Sequence, residues 1–138
     1  MNYLLSEYKI KKNVIFYLSL GTIITHELDA MTNHEWRVLP LTNWLKDEYG
    51  LLLFLFFHIP LFAILVALVA STNQTIRTRT RIGVSIFLVV HGLLHILFIG
   101  SINYEFKTVT SNFLIFGGAV LGLVYLLLEY VNKKTAST

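Results

Sequence analysis

Residues 25–37, THELDAMTNHEWR, hold two histidines, three carboxylates and an arginine within thirteen positions. Two later stretches add the remaining histidines: FHIP, with His58, and HGLLH, with His91 and His95. Imidazole and carboxylate together are the ligand set of zinc and non-haem iron. In a helix, His91 and His95 are four residues apart and share a face, so their two rings can chelate one ion. His26 and Asp29 lie one turn apart, and Glu27 points about 100° around the helix from His26. The candidate ligands are therefore His26, Asp29, His58, His91 and His95. Glu27 is placed either to orient a ligand or to act as a general base beside a metal. If the chain turns back over the bundle, Glu35 can enter the site or support it from behind, and Arg37 can support it too or pair with a carboxylate or a lipid phosphate. His34 reads as interfacial. The bland alternatives are a polar helix end wetted by headgroup water and histidines bonded to neighbouring helices. No H-E-x-x-H or G-x-S-x-G string occurs, so neither a zincin protease nor an acyl-serine hydrolase is indicated.

The elements that must position these residues are apolar. The chain has 138 residues, of which 55% are hydrophobic and 14% charged. Its mean hydropathy is +0.65. An ordinary soluble domain carries about 25% charged residues, and a chain of this size could not hide so much apolar surface from water. The expected fold is all-α: one integral membrane four-helix bundle spanning residues 1–138. Its spans fall at residues 13–31, 50–71, 82–102 and 112–131, each near the roughly 20 residues a bilayer requires. The first reaches that length only if His26, Glu27 and Asp29 belong to the helix. No small-x-small cleavage site follows it, so it is expected to be retained rather than removed as a signal peptide. The absence of cysteine excludes disulfides, thiolate metal sites and cysteine nucleophiles. The net charge of +3 speaks to topology rather than nucleic acid, since no basic face with interleaved aromatics is present.

Eight of the eleven basic residues (Lys9, Lys11, Lys12, Arg77, Arg79, Arg81, Lys133, Lys134) fall on one side of these spans. The positive-inside rule then puts both termini in the cytoplasm, as four spans require. The depth of each histidine follows from a rise of 1.5 Å per residue. His58 and His95 lie about 12 Å below the outer ends of their spans, His26 about 7 Å down, and His91 one turn deeper than His95. Three helices thus bring histidines to similar levels in the outer half of the bilayer, where ionisable groups are costly and face a bundle interior or cavity.

Residues 41–50, LTNWLKDEYG, are expected to form a short interfacial helix in the first outer loop, capped by Thr42 or Asn43. Trp36, Trp44 and Tyr49 would sit among headgroups. Pro60 should kink the second span. Gly118 and Gly122 form a small-xxx-small pattern for close helix packing, within the bundle or in a homo-oligomer. Glu129 is expected to snorkel or pair with Lys133.

The combination of THELDA, EWR, FHIPLF and a late HxxxH, covering residues 18–95, resembles a family of small bacterial four-span membrane proteins known only as a domain of unknown function. A looser likeness is to membrane proteins named for an HxxEE motif, matched here only by His26 and Asp29, since residue 30 is alanine. The resemblance implies residence in the bacterial plasma membrane and carries no activity. Three functions compete. A metal-dependent protein, with zinc or iron, would act on an apolar small molecule or lipid. A b-type haem protein would use His58 and His95 as axial ligands, leaving His91 and residues 26–29 unexplained. A transport or accessory subunit would use the polar groups as a relay.

Overall fold

The computed structural model describes the backbone of residues 2–136 and the side chains of residues 7–134 except Lys9, whose place among the basic residues counted above lies outside those described. All regular structure among the described residues is helical: α1 (Asn2–Thr32), a single 3-10 turn (Glu35–Arg37), α2 (Asp47–Val69), α3 (Gln74–Phe98) and α4 (Val109–Ala136). Long apolar runs free of internal helix breakers produce these helices. Pro60 is the exception, and α2 continues through it. Asn73 starts α3 by accepting from the backbone N–H groups of Thr75 and Ile76 at 2.9 and 3.2 Å, which satisfies two of the donors every helix start leaves open.

Helices α1, α3 and α4 pack closely. Small residues set the distance between them: a Cβ on Gly122 would lie 2.8 Å from the Ser85 carbonyl oxygen, and one on Gly92 would lie 2.8 Å from Ala119 Cβ. Gly118 faces Leu88 and Thr22. The small-xxx-small pattern of α4 is thus spent inside the chain, against α1 and α3. One apolar cluster, Phe16, Val69 and Tyr125, closes the end nearer the termini. A second, around Ala30, Val38, Tyr104, Phe106 and Ile115, closes the other end. Helix α2 lies outside this core. Of its residues only Gly50 and Val69 are buried, while Phe56, Phe57 and Ile59 are each about two-thirds exposed.

Three helices, α2, α3 and Val109–Lys134 of α4, are long and apolar enough to cross a membrane. The first segment differs from expectation in a specific way. His26, Glu27 and Asp29 do lie within α1, but among the described residues α1 is not one of the three helices. The interfacial helix expected at residues 41–50 is absent. Residues 38–45 form successive turns, and α2 already begins at Asp47. Thr42 does not cap; its hydroxyl donates to the Trp36 carbonyl at 2.8 Å. Trp36 is buried rather than interfacial, lying against Gly50, where any Cβ would strike its ring. Its indole N–H donates to Asp47. These contacts pin the first turn of α2 and leave no length for a separate helix. At the opposite end Glu129 is buried and paired with Lys12 at 2.7 Å, not with Lys133.

Candidate metal centre

Helix α1 supplies His26 from a buried face that also includes Phe16, Ser19, Ile23 and Ala30. Helix α3 supplies His91 and His95, one turn apart. The three rings meet through their Nε2 atoms: His91 to His26 at 2.9 Å and His95 to His91 at 3.1 Å. Nitrogens bound about 2.1 Å from one ion at 90–109° are separated by about 3.0–3.4 Å, close to the two separations His91 Nε2 makes. A chain of neutral imidazoles explains it less well, because each Nε2 carries either a proton or a lone pair. His91 Nε2 cannot donate to both neighbours at once.

The fourth member comes from the loop. After α1 ends at Thr32, the chain reverses at His34, the one non-glycine residue with positive φ among those described (φ 47°, ψ 49°). The reversal turns Glu35 into the bundle, where it is buried and Oε1 lies 3.7 Å from His95 Nε2. His26, Glu35, His91 and His95 each offer a ligand atom within 4.8 Å of the others, and all four residues are buried; the group could hold a metal ion. Burial pushes the Glu35 carboxyl up to about 8, Glu27 adding to the rise and His58 opposing it. Tyr104 stands behind His95, its hydroxyl 3.1 Å from Nδ1, in position to hold the tautomer that leaves Nε2 free for an ion. His26 Nδ1 is buried and has no partner. Beside the group is a cavity of about 20 Å³ bounded by Glu35, His91, His95, Phe98 and Tyr104, room for one water-sized species.

The other residues singled out above go elsewhere. His58 does not join the four; its Nε2 meets Glu27 Oε2 at 2.9 Å and its Nδ1 the Phe54 carbonyl at 2.6 Å. Glu27 points toward α2 because it is about 100° around α1 from His26. Asp29 is not in the group either. It is about 4.5 Å further along the helix axis than His26 and about 60° off its direction, and its Oδ2 is buried without a partner. Glu35, not Asp29, is the carboxylate in the group. Arg37 stays outside the histidines and ties the loops together. It binds both oxygens of Asp47 at 2.7 and 2.8 Å and Glu105 at 2.5 Å. His34 Nδ1 meets the other Glu105 oxygen at 2.9 Å. The His34 contact and then Arg37 hold the Glu105 carboxyl below its ordinary range. Tyr104, in the short loop between α3 and α4, carried no sequence signal beyond its phenol. The haem pairing has no geometric support: His58 is bonded to Glu27, His95 to His91 and Tyr104, and the adjoining cavity is far smaller than a porphyrin.

The fold and the site define a class: an all-helical protein with three candidate membrane spans and a buried histidine–glutamate cluster able to hold a metal ion. The chain belongs to the family of unknown function DUF6713, whose family model matches residues 12–132. Comparison with curated proteins and with solved structures gives no match.

Proposed function

We propose that this is an integral membrane metalloprotein in which His26, Glu35, His91 and His95 bind one divalent metal, zinc or iron, and act on an apolar or lipid substrate. The carrying observation is the convergence of three buried Nε2 atoms at 2.9 and 3.1 Å beside a buried carboxylate. The membrane part rests on the exposed apolar surface of α2, α3 and α4, which water would not tolerate. Helix α1 crosses with them, His26 Nε2 held by the cluster and Glu27 by His58. Four crossings place both termini on one side, and the basic residues make that side cytoplasmic. The centre then lies in the outer half of the bilayer.

A bound ion would supply Lewis acidity, and iron would add redox chemistry. The chain's own residues do the rest. Tyr104 fixes His95, and Phe106 and Tyr104 wall the cluster from the loop side. His58 holds the Glu27 carboxylate through a 2.9 Å contact.

The test is purification in mild detergent followed by metal analysis and an absorption spectrum on one sample. Near-stoichiometric zinc or iron without a Soret band is expected, with most metal lost in H91A and H95A. A Soret band, or no metal after add-back, overturns the reading.

A further inference from the structure

At the end of the bundle opposite the histidines is a second, open cavity, of about 340 Å³, lined by α1, the α2–α3 turn, α3 and α4. Lys12, Tyr17, Gln74, Arg77, Thr78 and Arg81 line it. Lys12 is 14 residues before His26 on α1, so the two sites are about 21 Å apart along the helix. The volume lies within the range of small-molecule sites.

The charges there are unbalanced. Lys12 is neutralised by Glu129, but among the described residues neither Arg77 nor Arg81 has a carboxylate partner. Arg81 donates to neutral groups, Asn13 Oδ1 at 2.8 Å and the Tyr17 hydroxyl at 3.0 Å, and it also bonds the Tyr125 side chain. Its guanidinium lies 4.8 and 5.2 Å from the Phe16 and Tyr17 rings. Its Nε is buried and has no acceptor. Arg77 reaches the Ser71 carbonyl at 2.7 Å and the Gln74 side chain. Two arginines that line the cavity are thus held in position by neutral neighbours. Guanidinium forks of this kind match the oxygens of a phosphate, and the Thr78 hydroxyl and Gln74 amide add uncharged donors.

We propose that this cavity binds a phosphate group, with Arg77 and Arg81 as its two charged ligands. The phosphate comes from an anionic phospholipid headgroup or from a soluble phosphate compound, and basic pockets between helices at the cytoplasmic face of a membrane suit the former. The lipid source rests on the membrane reading above; the phosphate chemistry does not, and neither depends on the metal.

The test measures thermal stabilisation of the detergent-purified protein by phosphatidylglycerol, by phosphatidylcholine and by inorganic phosphate. R77Q, R81K and R79Q are compared, each against its own baseline. Arg79 is exposed, lies outside the cavity and carries the same charge. Stabilisation by phosphatidylglycerol alone, weakened about tenfold or more in apparent affinity by R77Q and R81K and unchanged by R79Q, assigns a lipid headgroup. Stabilisation by inorganic phosphate with the same variant pattern assigns a soluble phosphate ligand. If neither anion stabilises the wild-type protein, or R79Q loses as much as R77Q, the proposal fails. Should R81K not fold, because Arg81 also packs on Phe16 and Tyr17, R77Q decides alone, since Arg77 bonds only within the α2–α3 turn.

Discussion

Replacing Tyr104 by phenylalanine removes one oxygen and leaves the ring, which is 2% exposed, in its packing against His95 and Phe106. That oxygen is 3.1 Å from His95 Nδ1. In the metal-free protein a hydroxyl serves either imidazole tautomer, donating to Nδ1 or accepting from Nδ1–H. Metal binding through Nε2 admits only the second. Without the hydroxyl, metal-free His95 can shift its proton to Nε2 and avoid a buried unsatisfied N–H, but the metal-bound form cannot. The cost therefore falls mainly on the bound state. Loss of such a partner weakens metal binding by about 10–100-fold, or about 1.4–2.7 kcal/mol. The melting temperature of the metal-free protein should move little by comparison. Competition titrations against a chromophoric chelator in detergent measure the affinity, with Y49F as control, since Tyr49 is exposed. An unchanged affinity in Y104F would show that His95 does not bind metal through Nε2, and the arrangement inferred for the centre would fall with it.

Other substitutions test the frame around the site. G122A should destabilise by about 1–3 kcal/mol, because its Cβ would sit 2.8 Å from a backbone oxygen that cannot move aside; G21A, with nothing within 4 Å, should melt at or slightly above wild type. K12M leaves Glu129 buried without its cation and should cost about 3–5 kcal/mol, and K12M with E129L should recover much of that in the same melts. Glu105 has a folded pKa below its ordinary 4.5, so its stabilising effect is present above pH 4.5 and disappears as pH falls through the folded value. E105Q should therefore flatten the acid limb of the stability–pH curve, and a limb of unchanged steepness would show that the His34–Glu105–Arg37 contacts do not hold the loops.

Hydropathy and the 1.5 Å rise locate a residue along a helix axis, and they located His26, His91 and His95 well enough to foresee their meeting. They do not give the rotation of one helix against its neighbours. His58 illustrates the gap: its depth suits the cluster, but α2 lies outside the three-helix core, and the ring turns to Glu27. Asp29 illustrates a finer error, since a residue three positions on is displaced along the axis as well as around it, and the displacement is enough to miss a group spanning less than 5 Å. Glu35 was foreseen only on the condition that the chain turns back over the bundle, and the sequence does not mark that reversal. Its entry depends on a left-handed residue at position 34, a conformation that histidine adopts more often than most side chains but at some energetic cost. No glycine marks the reversal. The buried Trp36, seated on Gly50, and the Arg37–Asp47 pair hold the two residues after Glu35, so the strain at His34 is maintained by contacts beyond it. The fourth member of the centre is therefore set by tertiary packing at the head of α2, and loosening that packing is a route by which the loop could withdraw Glu35 while the three histidines stay in place.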